Sequence, residues 1–251
     1  MGKADLHIHT TYSYDGTATV TATLEHVKRH TDLDVIAITD HDCIEGALEA
    51  IDLAPRYGLA VIPGIEVSTT EGHVLALFVH TLVPPQLSLA ETVCCVAEQG
   101  GICIAAHPGG PWPWCLKEHH LAAALQQPGV AQTLVGVESY NASLPDLTLN
   151  LRAATIHQQL ALTSVGNSDA HMLWMIGMAR THFWGNDTAS LRAALCNRTT
   201  TFSYTERPAY FLISYLKRQL LRMLGLAQWS PMTPGGPIAL RRLTTQGAFG
   251  Q

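Results

Sequence analysis

The chain has 251 residues, of which 47% are apolar and 14% charged, with a formal net charge of −5. That length supports a core that needs no disulfides, and the composition excludes an intrinsically disordered, collagen-like or coiled-coil protein. No apolar run approaches the ~20 residues of a membrane-spanning helix. The outlying number is 13 histidines, nearly as many as the 15 lysines and arginines together, and all lie between His7 and His182. Histidine is the commonest metal ligand and the usual acid or base near neutral pH.

The apolar pattern, taken in chain order, alternates between the two periods of regular structure. A strand is expected over 3–9, ending in His7-Ile8-His9, and a helix over 19–30 with Val20, Leu24 and Val27 on one face. The β-branched run 34–39 reads as a buried strand leading to Asp40 and His41. A helix over 45–57 stops at Gly58, and strands follow over 59–68 and 73–79. A helix over 88–99 precedes a strand over 102–106, which runs into His107-Pro108. Strands over 135–138 and 162–165 flank a helix over 147–160, and the second leads to Ser168-Asp169-Ala170-His171. A short strand over 179–184 and a helix over 190–196 complete the pattern.

Strands alternating with helices imply an α/β fold with a parallel sheet, and about seven such units imply a closed barrel. The polar residues gather just after the strands, the positions that form the C-terminal mouth of an α/β barrel. His7 and His9, two apart on a strand, present both rings to one face, and Asp169 and His171 repeat the device. Together with Asp15, His41, Glu66, His73 and His107 they make nine nitrogen and oxygen ligands, more than one ion takes and suited to two or three, with Glu66 as a bridging carboxylate. Asp40 is expected to orient a ligand, Asp42 to cap the next helix, and Asn141 to form a turn. Arg180 is a candidate phosphate contact in a body with few cations.

Asp5-Leu6-His7-Ile8-His9-Thr10, Thr39-Asp40-His41-Asp42, Pro63-Gly64-Ile65-Glu66, Ala106-His107-Pro108 and Ser168-Asp169-Ala170-His171 resemble, in order, the successive motifs of the PHP (polymerase and histidinol phosphatase) superfamily. The resemblance covers about residues 3–184. It implies a distorted (β/α)₇ barrel and a trinuclear centre of manganese, iron or zinc. By the same resemblance His7, His9, Glu66 and Asp169 would hold one ion, Glu66, His73 and His107 a second, and Asp15, His41 and His171 a third. Asp15 stands where some members have histidine, and His80 is a weaker candidate for the role of His73.

The expected function is metal-dependent hydrolysis of phosphate esters by a metal-activated hydroxide, with Glu66, Asp169 and Arg180 as the catalytic residues and a small phosphomonoester as substrate, a nucleotide or a sugar phosphate fitting as well as histidinol phosphate. A non-catalytic PHP-type module is the alternative. An amidohydrolase fits less well, because Lys3, Lys28, Lys117 and Lys217 all lie away from the middle strand ends where a bridging lysine would sit.

Charge divides the chain. Residues 203–251 carry six basic residues against Glu206 alone, whereas residues 1–202 carry nine basic and nineteen acidic residues. We therefore expect a metal-binding barrel over 1–202 and a basic extension over 203–251, helical over 210–226 and poorly ordered over 230–251. The apolar 210–226 segment is expected to pack on the barrel or to join subunits of a homo-oligomer, with a membrane surface and nucleic acid as further candidate partners. The six cysteines show no zinc-site spacing and read mostly as buried free thiols. With a start unlike a secretory signal, they lead to the expectation of a cytoplasmic protein.

Overall fold

The computed structural model describes residues 1–144, 146–205 and Leu220. Among these residues, nine strands form one sheet: β1 Gly2–Asp5, β2 Val35–Ile38, β3 Ala60–Ser68, β4 His73–Leu77, β5 Ile102–Ala105, β6 Leu134–Asn141, β7 Thr163–Asn167, β8 Ala179–Phe183 and β9 Thr201–Tyr204. The helices are α1 Val20–His30, α2 Glu45–Tyr57, α3 Leu89–Glu98, α4 Glu118–Leu125, α5 Val130–Thr133, α6 Leu147–Leu160 and α7 Thr188–Asn197. No helix among the described residues is long and apolar enough to cross a membrane.

The strand order is β7-β6-β5-β4-β3-β2-β1-β8-β9, and the sheet curls into a nearly closed, distorted barrel. Beyond β1 the chain stays extended, and Ile8 bridges Ala170 just past β7, with His9 N donating to Ala170 O at 2.9 Å and Ala170 N to His7 O at 3.1 Å. The Thr181 hydroxyl of β8 donates to Gly166 O of β7 at 3.0 Å and accepts from Gly166 N at 3.1 Å. These contacts bring the two sides of the sheet together.

The sheet is mixed rather than parallel throughout. β1, β2 and β3 pair in parallel, as do β5, β6 and β7, but β4 runs antiparallel to both β3 and β5, and β8 antiparallel to β1 and β9. The reason is chain length: only residues 69–72 separate β3 from β4, and a parallel return needs a crossover of roughly a dozen residues or more. The last strand reaches Tyr204, past the boundary expected at residue 202. The helix expected over 210–226 falls outside the described residues except for Leu220, and the segment 230–251 falls wholly outside them.

Side-chain alternation along the strands builds two cores. Ile36 and Ile38 of β2 face Val20, Leu24 and Val27 of α1 in the layer between sheet and helices. Val35 and Ala37 point the other way, into the interior, with Leu6, Ile62, Leu75, Ile104, Val165 and Phe183. Leu191 and Leu195 of α7 join that interior cluster, because α7 touches β3, β6, β7 and β8 and covers one end of the barrel. The polar cluster occupies the other end.

All six cysteines are free, yet only Cys103 and Cys115 are buried; Cys94 and Cys196 are exposed because they fall on the outer faces of α3 and α7. Asp42 does not cap α2, whose N-cap is Ile44. With its backbone in the left-handed region, Asp42 turns back to accept a 2.7 Å hydrogen bond from Ser68 N at the end of β3.

Gly46, buried in the first turn of α2, lies against Asp40, so that a Cβ there would overlap the Asp40 carboxylate. Alanine is the better helix former by about 1 kcal/mol, but the overlap should outweigh that gain. Gly46→Ala is expected to destabilise the fold by a net 1–3 kcal/mol, roughly the cost of overpacking. Urea unfolding checks it, and a variant as stable as the parent would contradict this packing.

Candidate metal centre

The mouth residues converge on Glu66, at the end of β3 and buried. Its two carboxylate oxygens face different sets of rings. Oε2 lies 3.0 Å from His7 Nε2, 3.3 Å from His9 Nε2 and 3.1 Å from His41 Nδ1. Oε1 lies 2.9 Å from His73 Nδ1 and 2.9 Å from His107 Nε2. Asp169 Oδ1 lies 3.2 Å from His9 Nε2 and 3.5 Å from His7 Nε2. Asp15 Oδ2 lies 3.3 Å from His41 Nε2 and 3.0 Å from His171 Nε2. The structure thus brings all nine expected ligand residues into one network.

Three subsets place their ligand atoms within 4.8 Å of one another: His7, His9 and Glu66; His41, Glu66 and His73; and His9, Asp15, His41 and His171. His41 belongs to two of them because its two nitrogens face Glu66 and Asp15, and His9 also belongs to two.

The ring environments show what these atoms can hold. Glu138 is ionised: burial would raise its pKa, but His7 beside it holds it below the usual carboxylate range. An ionised carboxylate only accepts, so His7 Nδ1, 2.9 Å from Glu138 Oε1, carries the proton and Nε2 turns its other side to the centre. His171 Nδ1 likewise donates to Asp169 O at 2.9 Å, leaving Nε2 toward Asp15. In the neutral ring those Nε2 lone pairs would confront carboxylate oxygens, an arrangement that only a shared cation or an added proton makes favourable. The buried Nε2 atoms of His7 and His9 make no hydrogen bond. Two ligands of one ion, each at about 2.1 Å, stand about 3.0 to 3.4 Å apart, which matches the nitrogen–oxygen spacings here. The donor set fits divalent cations.

The carboxylates reinforce this reading. Burial opposes ionisation of Glu66, Asp15 and Asp169, yet the surrounding histidines hold all three below the usual carboxylate range. Burial also lowers the His9 pKa, but Asp169 and Glu66 overcome it and raise it to about 10. The cluster therefore favours positive charge at its centre, whether proton or metal ion.

A second layer aims the first. Glu138, buried in β6, takes up four donors: His7 Nδ1, Asn167 Nδ2 at 2.8 Å, His107 N at 2.8 Å and Asn141 Nδ2 at 3.0 Å. Asn141 also donates to Asp169 Oδ2 at 3.1 Å, so it orients two carboxylates rather than simply making a turn. Asp40 accepts from Thr10 N, Thr10 Oγ1 and Ser13 N, and so holds the loop from which Ser13 Oγ meets His9 Nδ1 at 3.0 Å and His41 N at 2.8 Å. Asp5, pushed up to about 6 by burial, accepts from Ser168 N and Gly177 N and steadies the segment that carries Asp169 and His171. His107 and Asp169 both have positive φ, a backbone cost of about 1–3 kcal/mol each for non-glycine residues, which the surrounding hydrogen bonds sustain.

Arg180 lies elsewhere. Its guanidinium donates to Gly177 O and meets Asp32 at 2.5 Å, and it is not among the residues of the cluster. His80 is exposed, and its backbone N donates to Gln99. Glu138, Ser13 and Asp5 were not anticipated as parts of the site. For Glu138 a signal existed: an acidic residue closing the apolar run Val135-Gly136-Val137.

A family model described as PHP domain matches residues 5–160, and one described as PHP-associated matches residues 148–200. An uncharacterized protein of Methanocaldococcus jannaschii is 35% identical over 157 residues, which cover 59% of this chain and 86% of that protein. A 3′,5′-nucleoside bisphosphate phosphatase of Chromobacterium violaceum is 34% identical over 88 residues, 34% of this chain and 30% of that protein. Among solved structures, a two-domain protein of Bacteroides vulgatus containing a predicted PHP-like metal-dependent phosphoesterase superposes with a TM-score of 0.64 at 23% identity, covering 80% of this chain and 64% of that one.

Replacing Glu138 by glutamine keeps the shape but turns an amide NH₂ toward two donors. Glu138→Gln should lower manganese affinity about 10- to 100-fold, the usual cost of losing an outer partner, with the circular dichroism spectrum retained. Competition against a chelating dye measures it, and an unchanged affinity would contradict the role given to Glu138.

Proposed function

The chain belongs to the PHP domain family, and on that basis we propose that it is a metal-dependent hydrolase of phosphate esters. The observation that carries the reading is Glu66, each of whose oxygens faces a separate set of imidazoles while the buried Nε2 atoms of His7 and His9 lack hydrogen-bond partners. The phosphatase name of the Chromobacterium violaceum relative supports a phosphate ester as the substrate class.

In this proposal His7, His9, Glu66 and Asp169 hold one ion, Glu66, His73 and His107 a second, and Asp15, His41 and His171 a third, with manganese, iron or zinc as the metal. The ions would supply an acidified water as nucleophile and would neutralise charge on the phosphoryl oxygens. The protein's part is to keep the ligands in the correct protonation state and place. Glu138 holds the His7 proton on Nδ1, and the Asp169 carbonyl does the same for His171. Asp40 fixes the loop that carries Ser13, which in turn fixes His9 and the backbone of His41. Three buried carboxylates kept ionised give the centre the negative charge that a cluster of cations requires. The division into a metal-binding barrel, expected over 1–202 and carried by β9 to Tyr204, and a basic extension after it is part of the same proposal.

Two variants test the assignment together. Glu66→Ala should abolish phosphomonoester turnover and lower metal content, because it removes the carboxylate shared between two ligand sets. Arg180→Ala should keep turnover within about threefold, a barrier change under ~0.7 kcal/mol, since its guanidinium is engaged with Asp32. Steady-state assays with elemental analysis read both. Full activity in Glu66→Ala, or equal losses in the two variants, would overturn the assignment.

A further inference from the structure

His107 differs from the other histidines of the cluster in the group that aims its ring. The ring of His7 is held by an ionised carboxylate, that of His171 by a backbone carbonyl and that of His9 by a hydroxyl. Glu138 also reaches His107, but only at its backbone N, 2.8 Å away. The ring itself is left to a sulfur: Cys115 Sγ lies 3.7 Å from His107 Nδ1, a hydrogen-bond distance for so large an atom. The other ring nitrogen, Nε2, faces Glu66 Oε1 at 2.9 Å.

The sulfur sits on a loop between β5 and α4 that is closed on itself. Gly109 N donates to Leu116 O at 2.8 Å, Cys115 N to Trp112 O at 3.1 Å, and Lys117 Nζ to the carbonyls of Gly110 and Trp112. A Cβ on Gly110 would stand 2.6 Å from Cys115 Sγ, so a glycine is needed there for the loop to fold against the sulfur. The same loop holds His73, whose backbone N donates to Trp114 O at 2.9 Å. One short segment is thus tied to both histidines that face Glu66 Oε1. Cys115 is fully buried, which keeps water from competing for the contact.

The direction of this hydrogen bond follows from the imidazole. A ring that offers Nε2 to an ion has one proton left, on Nδ1, and that proton needs an acceptor. The structure gives it the sulfur. The His107 backbone, at positive φ and held by Glu138, is already fixed, so the torsions of the side chain are what remain to be set.

We propose that Cys115 is a positioning residue: its sulfur accepts the Nδ1 proton of His107 and so keeps Nε2 turned toward the ion assigned to Glu66, His73 and His107. The inference rests on the metal-ligand reading above and adds to it an outer partner of a different chemical kind.

Stepwise manganese affinities of the full-length protein, from competition against a chelating dye, test it. Cys115→Ala and Cys115→Val both lack an acceptor, one leaving space and the other filling it. Each should weaken one equivalent about tenfold or more, the usual cost of losing an outer partner. Cys115→Ser restores an acceptor and should stay within about threefold of the parent. A role in packing alone would reverse that order, because valine suits a buried apolar pocket better than a hydroxyl does. In His107→Ala, adding Cys115→Val should cost the remaining equivalents nothing further, since the sulfur acts through that ring. Parent-like affinity in Cys115→Val, a serine variant weaker than the valine one, or further losses in the double variant would overturn the role of Cys115 and leave the ligand assignment standing. A parent protein that binds one equivalent or fewer would overturn both.

Discussion

The structure depends on placing three ionised carboxylates and six imidazoles together in a largely buried site. Buried charge is costly unless it is paired, and here the pairing closes on itself around Glu66. Much of the surrounding architecture serves this concentration of charge. The mixed sheet brings ends of six strands, β1, β2, β3, β4, β5 and β7, to one mouth, while α7 and the apolar interior close the other end. Glu138 spends all its accepting capacity on ligands or their neighbours. A cluster arranged this way calls for positive charge at its centre, from protons or from cations, so its protonation and its capacity to hold metal are linked.

The outer partners come from parts of the chain far apart in sequence. Asp5 reaches Ser168 and Gly177, Glu138 reaches His7, and Asp40 reaches Thr10 and Ser13. Each of these carboxylates answers the backbone or ring of a segment that carries ligands. The barrel is therefore more than a scaffold with residues attached at its rim; its closure and the aim of its ligands use the same hydrogen bonds. The contact of Ile8 with Ala170 illustrates this, since it brings His7 and His9 to Asp169 while joining the two sides of the sheet.

The site was more legible than its support. In an extended chain the spacing of His7 and His9 puts both rings on one side, and that inference survives even though β1 ends at Asp5 and only Ile8 is bridged beyond it. The strand-and-helix pattern led to the barrel because its period is local. The antiparallel turn of β4 was implicit in the short 69–72 connection, but a parallel reading of the neighbours obscured it. Arg180 shows a different limit. Composition marked it as a scarce cation, but which face of β8 points inward depends on register with β1, and that register turns Thr181 to Gly166 and leaves Arg180 to Asp32. Asp42 could not be placed from type alone, since a left-handed backbone redirects its side chain. The partners of Glu138 depend on contacts across the whole barrel, which no local pattern encodes.

The central claim is that these ligands are organised by several cations rather than by protons alone. Its most direct test is the metal content of purified protein, exchanged with manganese and freed of loosely bound ions, by elemental analysis against protein concentration. The account predicts two to three equivalents per chain. One equivalent or fewer, in protein shown to be folded, would contradict it.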